Sequence, residues 1–515
     1  MQANTDTQPP ITIIENLTTK LVVGLEVHVE LNTRTKMWTA APNLACASVF
    51  NENPEPNTLT DPVVIGMPGT LPVMNKAALE ASIKVGLALN CSIAHFTKWD
   101  RKSYYYPDLP KNYQISQYDL PLCYEGNLDV PLSDEPDAPT APIRITRAHL
   151  EEDAGKLLHE APGGVPIDHS IVDLNRAGTP LLEIVTEPDF HTADHAVAFC
   201  RMLQNLVRFL NASEADMQRG HIRFEPNINV IIERDGQTYK TPITEIKNLN
   251  SYRAVHAAIE HEHVRQVHQW LEDGRVMGPG VKSTRGWDDQ KLVTFAQREK
   301  EDAHDYRYFP DPDLIPVTLT EEQIDRIRCE LPELPHQKLA RYTNEYGLKP
   351  VDARALTADA ATSGFYEQTI GAGVEPKRAA TILRNSLGKI ANERGTEMSR
   401  LDITAQQIAA VEQLLKDNKI SSNNAEQLYG LCIDSDSTVA PADLAQEHGL
   451  MQVSDDGALD DWINQAITQQ PQAAEQFRSG KEAALGRLTG TVMKLSKGQA
   501  NPKAVQQRLR DKLST

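Results

Sequence analysis

The chain has 515 residues, 40% hydrophobic, 6% aromatic and 24% charged, with a formal net charge of −19. That length suits two to four domains of roughly 100–200 residues each, and the ordinary charge content excludes wholesale disorder. The acidic total excludes a general nucleic-acid coat, and no run reaches the ~18 apolar residues that span a bilayer.

No basic-then-apolar leader opens the chain, and its six cysteines are dispersed without a CxxC pair. A cytoplasmic protein with reduced thiols, no membrane attachment and no Cys-rich zinc site is expected. Residues 1–18 are polar and read as a flexible lead-in. From Leu21 the residues alternate: Val23, Leu25, Val27, Val29 and Leu31 share one face of a predicted strand, and Gly24, Glu26, His28 and Glu30 share the other. Side chains at i and i+2 stand ~6.6 Å apart, so Glu26, His28 and Glu30 can converge on one ion or ligand. Carboxylates with an imidazole suit a divalent cation, Mg²⁺ where oxygen donors dominate; a polar face that simply sees water is the alternative. Residues 42–72, rich in Pro and Asn, read as irregular loop, and helical spacing follows over Lys76–Leu89.

The segment Arg101-Lys-Ser-Tyr-Tyr-Tyr-Pro-Asp-Leu-Pro-Lys111 interleaves bases with tyrosines, a composition that contacts phosphate and stacks on bases, or simply packs. His149-Leu-Glu-Glu-Asp-Ala-Gly-Lys156 places three consecutive acids before a Gly turn, a second possible metal site or a solvated acid run. Between Asp173 and Asp189, acids and Arg176 surround a Gly-Thr-Pro turn. Strand patterns occur at Ile143–Thr146, Leu181–Thr186, Ile222–Phe224 and Ile228–Ile231, and a helical one after Thr192. Their irregular mixing predicts an α+β domain with mostly antiparallel sheet.

Beyond Asp311-Pro-Asp-Leu-Ile-Pro316 the chain becomes helical, with starts at Thr320-Glu-Glu-Gln323 and Thr404-Ala-Gln-Gln407. Two helical units are expected, divided within 430–445. From Lys481 to Thr515 eight basic residues face two acidic ones, a local surplus of six that fits a nucleic-acid contact at one end or a solvated helical surface. No GxxxxGK[ST], GxGxxG or GxSxG occurs, so an ATP site here is of a less common kind. Lys494-Leu-Ser-Lys497 has no His-x-Gly-His partner and is not read as a synthetase loop. Spacing alone leads to a metal-dependent enzyme acting on a phosphate compound.

Longer strings carry a resemblance. Gly24-Leu-Glu-Val-His-Val-Glu-Leu31, Arg101-Lys-Ser-Tyr-Tyr-Tyr-Pro-Asp108, Tyr113-Gln-Ile-Ser-Gln117 and Leu150-Glu-Glu-Asp-Ala-Gly-Lys156 resemble, in order, the B subunits of the aspartyl/glutamyl-tRNA amidotransferases. So do Leu174-Asn-Arg-Ala-Gly-Thr-Pro180, Glu183-Ile-Val-Thr-Glu-Pro-Asp189, Glu245-Ile-Lys-Asn-Leu-Asn-Ser251, Asp305-Tyr-Arg-Tyr-Phe-Pro-Asp-Pro-Asp313 and the stretch Gly490–Pro502. The resemblance runs from about residue 20 to the end.

It implies a cradle-shaped α+β catalytic domain over 19–316, a helical domain over 317–438 and a tRNA-binding tail over 439–515. It also implies a heterotrimer with an amidase (A) subunit, which releases ammonia from glutamine, and a small C subunit. ATP would phosphorylate the side-chain carboxylate of misacylated Glu-tRNA(Gln) or Asp-tRNA(Asn), and ammonia would displace the phosphate. A chain that only positions tRNA is the rival reading. Carried over by position, Glu26, His28 and Glu152 would hold Mg²⁺ with Glu151 nearby. Lys102 would lie at the channel end or the phosphate, and Glu183, Glu225, Lys247 and Asn248 would line the cofactor site. The loop Met217–Asn227 departs from the family: Arg219 stands where an acid is usual, His221 where Ser is, and Glu225 where Asp is.

Overall fold

In the computed structural model, residues 10–133, 135, 138–161, 165–299, 306–452, 456–496 and 499–514 are described. Residues 1–9 of the expected lead-in, Asp305 and Lys497 lie outside them. The chain divides into two compact units, Met1–Pro335 and His336–Thr515.

The first unit is built on an eleven-stranded sheet. Its site-bearing strands are β1 (Leu17–Glu30), β2 (Thr140–Glu152), β3 (Pro180–Thr186), β4 (Ile222–Arg234), β5 (Thr244–Lys247) and β6 (Ser283–Asp288). They lie in the order β6-β5-β4-β1-β3-β2, with β5–β6 parallel and the other pairings in this series antiparallel. The alternation read from Leu21 holds in space. Val23, Leu25, Val27, Val29 and Leu31 are each at most 1% exposed, and each adds roughly 1.5–3 kcal/mol of apolar burial. They share one core with helices α1 (Lys76–Ala88), α2 (Ala193–Phe209) and α3 (Tyr252–Asp273).

Helix α2 begins where Thr192 accepts from the His195 N–H, and α1 where Asn75 accepts from the Ala77 and Ala78 N–H groups. The sequence reading splits β4 at Pro226, but the strand runs through it. Proline removes one donor only, and the β4–β1 register is unbroken from Ile222 to Glu233. Helix α3 has no clear apolar stripe, and its ends are marked instead by the Ser251 cap and left-handed Gly274.

Helix α4 (Glu321–Cys329) buries Ile324 and Ile327 in the sheet core, so the first unit continues past 316. Within the second unit, Leu444, Ala445 and Leu450 pack in the first helical core, and buried residues from Leu459 to Leu513 form another. Both expected helix starts carry capping boxes, Thr320 with Gln323 and Thr404 with Gln407.

Candidate functional site

The face of β1 opposite the core gathers the polar residues, and register decides which of them meet. Across four strands, Arg223, His28, Glu183 and His149 stand in one row; Lys247 joins β5 to the next row through Glu225, which pairs with Glu26. Two donor groups result. His28, Glu151 and Glu183 each offer a ligand atom, all within 4.8 Å of one another, and Glu26, Glu225 and Glu245 do likewise.

In the first group His28 Nε2 lies 3.5 Å from Glu183, His149 Nε2 3.7 Å and an Arg147 Nη2 3.9 Å. Burial lowers the His28 pKa, but the hydrogen bond to Glu183 and the charges of Glu225 and Glu183 outweigh it and raise the value to about 9. Burial holds His149 at about 4. The Nδ1 atoms of both histidines are buried without hydrogen-bond partners. In the second group Glu245 accepts from Thr284 Oγ1 at 3.1 Å. Glu30 is drawn elsewhere: burial and neighbouring Asp153 push it up to about 8. Asp153 falls to about 2, because Arg176 and Arg223 outweigh its own burial.

Glu152 is not part of either group, so the expected trio of Glu26, His28 and Glu152 is not brought together as one cluster among the described residues. Successive strand residues face opposite ways. Glu151 therefore faces His28, whereas Glu152 pairs with Lys111 and accepts from the Ile115 N–H at 2.9 Å. Glu26 and His28 also separate, each into its own group.

A cavity of about 630 Å³ is lined by Lys102, Tyr104, Tyr105, Tyr106, Lys247 and Tyr306 among others, and these two lysines reach the donor groups. Lys102 Nζ is 3.9 Å from Glu151, and Lys247 Nζ is 2.5 Å from Glu225 and 3.2 Å from Glu245. Burial opposes the charge on each lysine. Glu151 nevertheless raises Lys102, and Glu225 with Glu245 raises Lys247, so both remain cations. Asn248 is exposed at the end of β5 with φ +66°.

Sequence reasoning missed the pairing of Lys111 with Glu152, the contacts of His149 and Arg223, and the place of Glu245 beside Glu26 and Glu225, because all of these depend on pairings between distant strands. The departures in the 217–227 loop are matched to one another. Arg219 lies over the Phe50 ring at 3.8 Å and 3.5 Å from Asp216, and His221 packs edge-on against Phe50. Glu225 keeps a carboxylate in the second group.

A family profile described as GatB/GatE catalytic domain matches residues 21–325, and one described as GatB domain matches 364–513. The B subunit of the aspartyl/glutamyl-tRNA(Asn/Gln) amidotransferase of Carboxydothermus hydrogenoformans is 42% identical over 493 residues, 96% of this chain and 98% of that protein. Its counterparts in Thermoanaerobacter pseudethanolicus (42%, 96% and 99%) and Rhodopirellula baltica (41%, 95% and 96%) are similarly related.

Proposed function

The chain belongs to the GatB/GatE family, and from that premise we propose that it converts the side-chain carboxylate of misacylated Glu-tRNA(Gln) or Asp-tRNA(Asn) to the amide in an ATP-dependent reaction. It acts as a ligase with glutamine as the source of nitrogen. A carboxylate oxygen attacks the terminal phosphorus of ATP and ADP leaves. Ammonia then attacks the acyl carbon, phosphate leaves, and the new amide loses a proton.

The observation that carries this reading is that two lysines of one cavity wall, Lys102 and Lys247, are each paired with an acid of a different donor group. Lys102 and Lys247 present two ammonium groups to anions entering the cavity, where a carboxylate and a triphosphate must be brought together against their repulsion. The donors fit divalent cations: an imidazole with two carboxylates in one group, three carboxylates in the other, and a buried His28 Nδ1 left unpaired. His28, Glu151 and Glu183 would hold one Mg²⁺, and Glu26, Glu225 and Glu245 a second divalent ion. Such ions, when bound, neutralise phosphate charge. The partners of this reading are an amidase (A) subunit that supplies ammonia and a small C subunit, and the 459–513 helical core contacts the tRNA.

The test uses the complex co-purified with its partners, with ammonium chloride as nitrogen donor and with ADP release and amide formation measured separately. Glu183→Gln and Glu245→Gln, one in each donor group, should each lower ADP release on the order of a thousandfold while the partner's glutamine hydrolysis persists. Near wild-type ADP release in both variants would return the chain to a tRNA-positioning role.

A further inference from the structure

Half of the protein's fourteen tyrosines fall in two short segments, 104–118 and 306–308, beside the cavity. Most of them are engaged with one another. Tyr104 meets Tyr106 and Tyr306 edge-on at 6.0 and 6.1 Å, Tyr306 meets Tyr308 at 6.2 Å, and Tyr308 stacks on Tyr118 at 4.2 Å. Lys102 Nζ sits 5.4 Å from the Tyr306 ring.

Tyr105 differs. It lines the cavity, is 68% exposed, and contacts no other ring among the described residues. Its neighbour is Arg307, whose guanidinium carbon lies 5.9 Å from the ring centroid and whose Nη2 is 3.4 Å from the hydroxyl. Arg307 also lines the cavity, pairs with no acid among the described residues, and has a left-handed backbone at φ +46°. A non-glycine residue held there costs conformational energy, and such residues cluster where a ligand is gripped. An exposed aromatic ring beside a guanidinium that has no acidic partner among the described residues is the arrangement that takes a nucleobase face.

We propose that Tyr105 and Arg307 form an adenine-stacking subsite, with the base against them and its phosphate directed toward Lys102 and Lys247. The inference rests on the functional reading above, which brings adenosine phosphates from two sources: ATP and the 3′-terminal nucleotide of the tRNA. The same chemistry serves either. The subsite leaves the acid groups free and supplies binding at a distance from the reacting atoms.

The co-purified complex, with ammonium chloride as donor, distinguishes the sources. KM is measured for ATP, for misacylated tRNA and for ammonium in wild type, Tyr105→Ala, Tyr105→Trp and Arg307→Ala. Tyr105→Ala should raise one of the first two constants by about tenfold with kcat changed by less than about twofold, Arg307→Ala should raise the same constant, and Tyr105→Trp should preserve it. A shift in the ATP constant assigns the base to ATP, and a shift in the tRNA constant assigns it to the terminal nucleotide. The subsite is overturned if the wild-type complex makes amide and neither constant moves, or if the effect falls on the ammonium constant or on retention of the partner subunits. A wild-type complex that makes no amide overturns the functional reading itself, and the ligand of this subsite with it.

Discussion

Replacing Glu152 by Gln removes the acid from a pair whose side chains, Lys111 and Glu152, are only 9% and 4% exposed. The stranded lysine has little access to water, so the variant should lose roughly 3–5 kcal/mol of stability, read as a lowered denaturant midpoint. Glu151→Gln should act differently. Its cation, Lys102, is 22% exposed at 3.9 Å, so stability should change little while ADP release collapses. Equal destabilisation by the two variants would contradict their assignment to opposite faces. The period of two along a strand makes it legible that consecutive acids diverge, although the sequence reading takes the three acids here as one cluster. Which of them meets His28 is not legible, because that depends on Leu181 of β3 lying beside Glu151 and Glu30. Lys36 gave no sequence signal and is wholly buried, with its Nζ 3.4 Å from the Leu174 carbonyl. Burial lowers its pKa from 10.5 to about 8. Between these values the unfolded state binds more protons, so this group's contribution to stability rises with pH across the window and its cost is full below about 8. Lys36→Met should therefore stabilise the fold at pH 7, on the order of 2 kcal/mol, and the advantage should shrink as the pH passes 8 toward 10.5. A constant difference across that window would show that Lys36 keeps an ordinary pKa.

Beyond single side chains, the site depends on how strand ends are pinned. Where β2 ends, Gly155 donates its N–H to Asp108 O at 2.8 Å, and its carbonyl accepts from Arg176 Nη2 at 2.6 Å. A Cβ there would stand 2.9 Å from Asp173 O and 3.0 Å from a Leu174 methyl, with Asp108 O at 3.1 Å. Two segments, at Asp108 and at residues 173–176, close on one residue, and two of the nearest atoms are backbone, which cannot swing aside. Gly155→Ala should destabilise by about 1–3 kcal/mol and loosen the cavity wall at Asp108 and Ala154. An unchanged melting temperature would mean that these segments shift without cost. Elements with local signatures were legible: the period-two face of β1, the Thr320 and Thr404 caps and the helix after Thr192 all lie within one stretch of chain. Pairing was not. His28 meets Glu183, and Glu26 meets Glu225, only after β3 and β4 have been brought beside β1, and nothing near residue 28 specifies that order.

At the scale of the whole chain, an excess of positive charge at one end stands against a total of −19. The sequence shows the surplus but not how much of it is already spent within the fold. Arg508 and Lys512 pair with Asp460 at 3.4 and 3.2 Å, and Arg510 pairs with Glu482 at 3.0 Å. Lys481, Arg487, Lys494 and Lys503 remain exposed with no acidic partner among the described residues. Among the described residues from 481 onward, these four are the cations left for phosphate. All are surface residues of the Leu459–Leu513 core, so replacing them together by Gln should leave the melting temperature within about 1 °C. Binding of misacylated tRNA should weaken, and the log–log dependence of affinity on salt should become shallower by roughly 0.7–0.9 for each phosphate no longer neutralised. The turnover rate at saturating tRNA should not fall, since the donor groups lie in the other compact unit. The comparison must be made across salt concentrations, because a single low-salt measurement also weakens when any long-range field is reduced. A weaker complex with an unchanged salt slope would mean that the four cations act by steering without touching phosphate. An unchanged affinity at every salt concentration would leave the surplus as a solvated helical surface and remove the tail from the tRNA-binding surface.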